Sequence, residues 1–202
     1  MIKTIIFDFG DVFINLDKSA TLQSFSQLGI NSITKELVSI NESYEIGVID
    51  TLEFINYYKK LLPKASDQQI IDGWNAILKD FPKQRLEFIQ KLANSHMYQL
   101  ILLSNTNELH INWIKENVSF YSDFKSCFDS FYLSHEIHLR KPNQDIFQFV
   151  IENHQLNPSE ILFIDDTSAN TNAAEKLGIH TWNNNPMTED ITDLFTIKAN
   201  LF

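Results

Sequence analysis

Short aliphatic segments recur along the chain, and they restrict its fold more than any other feature. Five of them are predicted to be strands: Thr4–Phe9, Gln99–Leu103, Ser130–Leu133, Ile161–Ile164 and Ile179–Thr181. The first, second and fourth are apolar on both faces. That pattern is typical of central strands in a parallel sheet that helices cover on both sides.

Segments with helical periodicity lie between these strands. They are Pro82–Ser95, Asn107–Val118, Asn143–Leu156 and Ser168–Gly178. The last one ends at a glycine, which is a common helix terminator. Because strand and helix alternate, the sequence predicts an α/β fold with a doubly wound, Rossmann-like parallel sheet.

One region interrupts this alternation. Residues 15–81 contain no strand signal but four helical segments, Lys18–Gly29, Ser32–Gly47, Thr51–Pro63 and Ser66–Phe81. Helices inserted directly after the first strand predict a small α-helical cap. We therefore expect an α/β core of residues 1–14 and 82–202, with residues 15–81 as the cap.

Composition limits the partners of the chain. Its 202 residues carry a formal net charge of −10, and nucleic-acid binding requires clustered Lys and Arg, so we expect no nucleic-acid partner. The single cysteine, Cys127, excludes an internal disulfide and a Cys-rich zinc site. With neither a signal peptide nor an apolar run long enough for a membrane, we expect a cytoplasmic protein, monomeric or homodimeric.

Polar residues follow the predicted strands at the points where the strands end. They are Asp8 after the first, Ser104 and Asn105 after the second, Arg140 and Lys141 beyond the third, and Asp165 and Asp166 after the fourth. Ligands of such sheets bind outside the carboxyl ends of the strands, so we expect these side chains to converge. Three crowded carboxylates repel one another unless a divalent cation lies between them. Hard oxygen ligands of this kind suit Mg²⁺.

This set of groups suits phosphoryl transfer. A phosphate bound by the cation, Lys141 and the Ser104 hydroxyl would have the charge on its oxygens neutralised. Asp8 can attack phosphorus in line, and water can then hydrolyse the phosphoaspartate. Gly10 leaves room for a phosphate beside the backbone N–H groups that follow Asp8. We therefore expect a small phosphorylated metabolite as the substrate.

Four motifs resemble, in order, those of the haloacid dehalogenase (HAD) superfamily. They are FDFGDV with Asp8, LLSNTN with Ser104, RKP with Lys141 and FIDDTSAN with Asp165–Asp166. The resemblance covers nearly the whole chain, including an insertion that matches the small cap after the first motif. LSNTN..H, LRKP...IF and FIDD...N...A...G resemble a closer group of bacterial sugar-phosphate phosphatases. The resemblance implies a Mg²⁺-dependent phosphomonoesterase, with a hexose phosphate such as glucose 1-phosphate among the expected substrates.

The resemblance also implies a set of metal ligands. Asp8 is the expected nucleophile and a Mg²⁺ ligand, and the Gly10 carbonyl oxygen is a second ligand. Asp166 is expected to contact the metal directly and Asp165 through water, although these two can exchange roles. Asn170 is expected to orient the acidic loop without touching the metal.

The phosphate-binding residues follow from the same resemblance. Ser104 and Asn105 are expected to bind phosphate, and Lys141 is expected to pair with both the phosphate and Asp8. Taken singly, such residues are equally explained as helix caps, turn residues or solvated lysines. Their occurrence together and in the right order favours function.

Two cap segments, YEIGVID and GWNAIL, resemble substrate-facing segments of that closer group. Glu45 and Asn75 are therefore expected to contact the substrate. Gly47 is equally well explained as a helix terminator, and packing is the favoured interpretation for Trp74. His110 is interpreted as structural support.

Gly10 stands where most phosphatases of the superfamily carry a second Asp, the general acid for the departing alcohol; the closer group also tends to have Gly there. Two explanations stay open. In the first, Asp11 acts as the general acid from the following turn. In the second, Asp11 only supports the site, and the departing alcohol needs less help from an acid. The second explanation fits an anomeric hydroxyl, which leaves more easily than an ordinary alcohol.

Two rival functions belong to other classes. A metal-independent haloacid dehalogenase also uses an aspartate nucleophile, and Gly10 is compatible with it because a halide leaves unprotonated. The paired acids Asp165 and Asp166 count against this rival. A degenerate binding or regulatory relative is the other rival, and it rests on Gly10 alone.

Overall fold

The centre of the molecule is a five-stranded sheet in which all neighbouring strands run parallel. The computed structural model describes residues 1–202. The strands are β1 (Thr4–Phe7), β2 (Gln99–Ser104), β3 (Ser130–Leu133), β4 (Ile161–Asp165) and β5 (His180–Asn183). Their spatial order is β3-β2-β1-β4-β5, so β1 lies in the middle. The predicted doubly wound α/β sheet is confirmed.

Helices occupy the connections between the strands. They are α1 (Ala20–Leu28), α2 (Lys35–Glu45), α3 (Thr51–Leu61), α4 (Asp67–Asn75), α5 (Lys83–Ser95), α6 (Glu108–Asn117), α7 (Tyr121–Lys125), α8 (Ser134–Ile137), α9 (Gln144–His154), α10 (Ser168–Glu175) and α11 (Leu194–Ile197). None of these helices is long and apolar enough to cross a bilayer. The expected cytoplasmic location and oligomeric state stay predictions.

Alternate residues of β1 enter two apolar clusters on opposite faces of the sheet. Ile5 and Phe7 pack in a cluster that contains Ile89 of α5. Ile6 packs in a second cluster that contains Phe147 of α9. Helices on both faces explain why the central strands are apolar at successive positions.

Helices α1–α4 pack around a third apolar cluster, to which α6 contributes only Leu109. Its most deeply buried members include Phe25, Leu37, Phe54, Tyr58 and Ile70. Three of these helices begin at side chains that accept a hydrogen bond from the first turn, namely Thr34, Asp50 and Ser66. This separate cluster supports the division into core and cap, which stays a prediction.

Most predicted helices are a few residues longer than the observed ones, and two elements end early for a visible reason. The helix predicted to reach Phe81 ends at Asn75, because the following residues pair with the segment that leaves the core. The Asn15 N–H donates to Asp80 and the Lys79 N–H donates to Asn15, at 2.9 and 3.0 Å. The strand predicted to reach Phe9 ends at Phe7, because a tight turn follows it in which two N–H groups donate to the Phe9 carbonyl.

Candidate active site

The carboxyl ends of β1, β2 and β4 meet at one edge of the sheet and open into a cleft of about 280 Å³. Asp8 stands directly after β1, where its N–H donates to the Ile164 carbonyl of β4 at 2.8 Å. The residues that line the cleft include Asp8, Gly10, Leu16, Lys18, Asn105, Arg140, Lys141, Asp166 and Asn170. The structure therefore brings most of the predicted site residues together.

Lys141 lies at the bottom of this site with its side chain fully buried. Its Nζ is 2.8 Å from Asp8 Oδ1 and 2.6 Å from Asp165 Oδ2. Burial alone lowers the pKa of a lysine, but the two carboxylates outweigh burial and raise the pKa of Lys141 above its ordinary value. The ammonium group therefore stays charged between the two acids.

Asp165 has both carboxylate oxygens occupied by donors. Oδ1 accepts the Thr167 N–H at 2.8 Å, and the Asn170 side-chain amide lies 3.0 Å from both oxygens. Lys141 takes the remaining position on Oδ2. This saturation fits the expectation that Asp165 reaches a metal through water and that Asn170 orients the acidic loop.

Asp166 is the acid of this pair that lines the cleft. One oxygen of Asp166 lies within 4.8 Å of oxygens from Asp8 and Asp165. Its Oδ2 is 2.5 Å from Nζ of Lys18, whose side chain is 60% exposed. The sequence expectation of a direct metal contact fits Asp166, because its side-chain partners are the exposed Lys18 and a long contact to Thr167.

The charge balance of the site suits a divalent cation. Four carboxylates surround two ammonium groups, from Asp8, Asp11, Asp165 and Asp166 and from Lys18 and Lys141. No protein donor reaches the Gly10 carbonyl oxygen, which is therefore open to a ligand. Carboxylate and carbonyl oxygens are the donors that Mg²⁺ prefers.

Burial and repulsion make the Asp8 carboxylate hard to ionise. Burial is the largest effect, and with the negative charges of Asp165 and Asp166 it raises the pKa of Asp8 to about 7, although Lys141 opposes the change. An additional positive charge beside Asp8 would return its pKa toward the ordinary range. This need is a second reason to expect a cation in the site.

Ser104 and Asn105 differ from their predicted roles in detail. The Ser104 side chain is buried at the end of β2, and its hydroxyl makes only a 3.5 Å contact to the Asn105 carbonyl. The Asn105 side chain accepts the Lys141 N–H at 2.9 Å and donates to the Lys141 carbonyl at 2.8 Å. The Asn105 side chain therefore positions Lys141. The phosphate contact expected from Asn105 stays a prediction, and its backbone N–H is the group left to make it.

Gly10 and Asp11 lie in the turn after Asp8. A Cβ added to Gly10 would lie 2.7 Å from Leu16 Cδ1, so Leu16 fills the space of a side chain at position 10. Asp11 Oδ1 accepts the Leu16 N–H at 2.9 Å, and Oδ2 lies 3.0 Å from Lys18 Nζ. The Asp11 carboxylate is thus held by two donors and does not line the cleft, which argues against its acting as a substitute acid.

Comparison with known proteins supports this geometry. The family model described as a haloacid dehalogenase-like hydrolase matches residues 2–178. The chain belongs to this family. The predicted membership of the HAD superfamily is confirmed.

Relatives match this HAD-like hydrolase along almost its full length. D-ribitol-5-phosphate phosphatase of Bacteroides thetaiotaomicron is 30% identical over 193 residues, which cover 90% of this chain and 91% of that protein. A wild-type HAD-family enzyme of the same organism, crystallised with magnesium and inorganic phosphate, has a TM-score of 0.85 at 36% identity and covers 96% of this chain and 100% of its own. An HAD-like hydrolase of Porphyromonas gingivalis has a TM-score of 0.84 at 30% identity, with coverage of 100% and 98%.

Two cap residues predicted to contact substrate lie outside the cleft lining of the HAD-like hydrolase. Glu45 Oε2 is 3.0 Å from the Arg140 guanidinium, so Glu45 reaches the cleft only through Arg140. Asn75 is buried at the end of α4, and its Oδ1 has no hydrogen-bond partner. Direct substrate contact from either residue finds no support in this geometry.

The remaining cap residues of interest hold the cap against the core. Gly47 has a φ of +66°, and a Cβ there would lie 2.3 Å from the His135 carbonyl oxygen, so close approach requires glycine. The Trp74 ring stacks on His110 at 5.2 Å, and its N–H donates to Asn107. Burial lowers the pKa of His110 to about 4, which keeps this ring neutral in a packing role.

Five lining residues were given no place in the site by the sequence reasoning, namely Leu16, Lys18, Pro142, Thr167 and Ala169, and Arg140 was expected to converge on it but was given no role. Arg140 stands beside Lys141 in the motif, and that adjacency was the signal available for it. Lys18 and Leu16 carry no comparable signal, because the turn after Gly10 alone brings them to the cleft.

Proposed function

We propose that this HAD-like hydrolase is a Mg²⁺-dependent phosphatase that works through a phosphoaspartate on Asp8. The observation that carries the proposal is the buried Lys141 ammonium between Asp8 and Asp165, with Asp166 open to the cleft beside them. A positioned carboxylate nucleophile with a charged neighbour is the arrangement that covalent phosphoryl transfer requires.

Magnesium is the proposed cofactor, with Asp8, Asp166 and the Gly10 carbonyl oxygen as the groups that would hold it. When bound, Mg²⁺ supplies positive charge that keeps the Asp8 carboxylate ionised and neutralises phosphate oxygens. The excess of carboxylates in the site and the relative crystallised with magnesium and inorganic phosphate both support this choice.

Asp8 and Lys141 perform the chemical steps. Lys141 binds Oδ1 of Asp8, which leaves Oδ2 to attack phosphorus. The Oδ2–P bond forms as the ester P–O bond breaks, and the alcohol oxygen leaves with the electron pair. Water then attacks phosphorus, which restores the carboxylate and releases inorganic phosphate. Asp165 keeps Lys141 charged throughout because its carboxylate lies 2.6 Å from the ammonium group.

No protein acid stands beside the departing oxygen in this proposal. Gly10 has no side chain, Leu16 fills the space above it, and Asp11 is held by the Leu16 N–H and Lys18. We infer that the alcohol takes its proton from water. The rate should therefore depend strongly on how readily the alcohol leaves.

For the substrate we propose a phosphate ester of a small polyol or sugar. The relative of Bacteroides thetaiotaomicron that is 30% identical is a D-ribitol-5-phosphate phosphatase, which makes D-ribitol 5-phosphate the first candidate. Glucose 1-phosphate is the second candidate, because its anomeric oxygen leaves without a protein acid. The size of the cleft, about 280 Å³, suits small metabolites of either kind.

The test is phosphate release from D-ribitol 5-phosphate, glucose 1-phosphate and p-nitrophenyl phosphate, with Mg²⁺ and with EDTA. We expect hydrolysis that EDTA removes and added Mg²⁺ restores. Chloride release from 2-chloropropionate without metal would instead favour the dehalogenase. Folded protein that hydrolyses none of these compounds would favour the binding relative.

The nucleophile has a separate test. We expect Asp8→Asn to lower kcat by at least about 1,000-fold, because no other carboxylate in the site can replace the attacking atom. Thermal unfolding should show that the variant is folded. Turnover close to that of the unaltered protein would remove Asp8 as the nucleophile.

A further inference from the structure

The cations that line the cleft all have carboxylate partners within the protein. Lys141 is paired on both sides in the core, as described above. Lys18 lies 3.0 Å from Asp11 Oδ2, and it keeps this partner when Asp166 binds a metal. Arg140 is paired with the cap. Beyond the phosphate position, the cleft therefore offers no unpaired positive charge to a substrate.

Arg140 is paired with two carboxylates of helix α2. Its Nη1 lies 2.9 Å from Glu42 Oε1, and its Nη2 lies 3.0 Å from Glu45 Oε2. Burial raises the pKa of Glu45, and Arg140 opposes this change. Whether Glu45 is ionised or protonated, the three side chains together carry no net positive charge.

Arg140 lies where the alcohol part of a substrate would extend, and Glu42 and Glu45 lie behind it, outside the cleft lining. Asp8 and Lys141 bind the phosphate at the sheet edge, so the rest of the ester points toward the cap side of the cleft. Arg140 lines that side, and it is fixed to helix α2 by the two glutamates. An uncharged, hydroxyl-rich alcohol can bind there without electrostatic repulsion. A second negative charge on the alcohol is repelled by Glu42 and Glu45, because Arg140 is already neutralised by them.

We propose that Arg140, Glu42 and Glu45 form a charge filter that restricts this hydrolase to phosphate esters of uncharged alcohols. Esters whose alcohol carries a carboxylate or a second phosphate are excluded by the two glutamates. This inference rests on the proposed phosphatase function and goes beyond it, because it names the charge class of the substrate and the residues that select it.

The test compares two esters that differ only at C1, D-ribitol 5-phosphate with a hydroxymethyl group and D-ribonate 5-phosphate with a carboxylate, at saturating Mg²⁺. If glucose 1-phosphate is the better substrate, glucuronate 1-phosphate is its charged match. We expect kcat/KM to favour the uncharged ester by at least about tenfold, because the carboxylates of Glu42 and Glu45 repel a second negative charge on the substrate. Hydrolysis of none of these esters would overturn the phosphatase proposal itself.

Variants of the filter separate this inference from general effects on the site. Glu42→Gln/Glu45→Gln should lower the preference for the uncharged ester by about tenfold, mainly through KM of the charged ester. Arg140→Met should raise the preference. The control is Glu36→Gln, which removes a negative charge from the first turn of α2. This variant should leave the preference for the uncharged ester unchanged.

Two results would overturn the filter while leaving the phosphatase intact. One is equal kcat/KM for the charged and uncharged esters in the unaltered protein. The other is an unchanged preference in the double variant. If the double variant does not fold, Glu42→Gln alone serves, because the Glu42 side chain is 47% exposed. Glu42→Gln should lower the preference for the uncharged ester by about threefold. An unchanged preference in this single variant would overturn the filter in the same way.

Discussion

Lys141 and Arg140 are neighbours in the chain, but their surroundings differ completely. Lys141 is fully buried and pairs with two core carboxylates, Asp8 and Asp165. Arg140 has a side chain that is 24% exposed, and it pairs with two carboxylates of the cap. These two adjacent residues therefore contact different parts of the molecule, because Lys141 contacts Asp8 and Arg140 contacts helix α2. Because breaking a buried ion pair costs far more than breaking an exposed one, the two cations should respond differently to mutation.

The largest expected effect is that of removing the buried cation. Lys141→Met leaves Asp8 and Asp165 without a positive partner, so the free energy of unfolding in the absence of metal should fall by about 3–5 kcal/mol. Phosphatase activity should be lost as well. Urea denaturation followed by circular dichroism measures the first effect, and phosphate release measures the second.

Lys18→Met is the control for this substitution, because it removes a cation that is largely exposed in the same cleft. Its unfolding free energy should change by less than about 1 kcal/mol. Equal losses of stability in the two variants would contradict the contrast between buried and exposed cations.

A smaller effect is expected from Asn170→Ala. The variant removes the amide that lies 3.0 Å from both oxygens of Asp165. We expect Mg²⁺ affinity to fall by about 10–100-fold, because partners of this kind orient the acids that bind a metal. Calorimetric titration with Mg²⁺ measures this directly. Asn172→Ala, at an exposed position of the same helix, is the control, and equal affinities in the two variants would refute the role of Asn170.

The smallest expected effect is that of placing a general acid at position 10. Gly10→Asp places a carboxyl group where most relatives of the superfamily carry one, but its Cβ meets Leu16 Cδ1 at 2.7 Å. Gly10→Asp/Leu16→Ala removes that contact, and it should hydrolyse D-ribitol 5-phosphate about tenfold faster than Gly10→Asp alone. Hydrolysis of p-nitrophenyl phosphate should change little, since its leaving group needs no proton. Leu16→Ala is the control, and equal gains on both esters would contradict the explanation.

The sheet was predictable because its signal is local. Ile5, Ile6 and Phe7 are almost wholly buried, so a short apolar run identified the central strand without any long-range information. The ends of elements were less predictable. Nothing within GWNAILKDF indicates that its last residues pair with the segment around Asn15, and that pairing is what ends helix α4 early.

The convergence of side chains on one cleft was predictable where they belong to motifs at strand ends, as for Asp8, Lys141 and Asp166, whose roles stay predictions. It was not predictable where function depends on contacts between distant segments. Arg140 and Glu45 are 95 residues apart, and Lys18 and Asp166 are 148 apart. Such pairs leave no pattern in either local sequence. Glu45 was therefore expected at the substrate, whereas it contacts the residue that lines the cleft.

The order of the strands has a consequence for synthesis of the chain. Asp8 emerges from the ribosome early, yet β1 gains its two neighbours only when residues 99–104 and 161–165 have been made. Pairings so distant in sequence form slowly, and partly made chains leave apolar strands exposed. A nascent chain therefore carries Asp8 for most of its elongation without Lys141 or Asp165. The cleft can form only after nearly the whole polypeptide has been made.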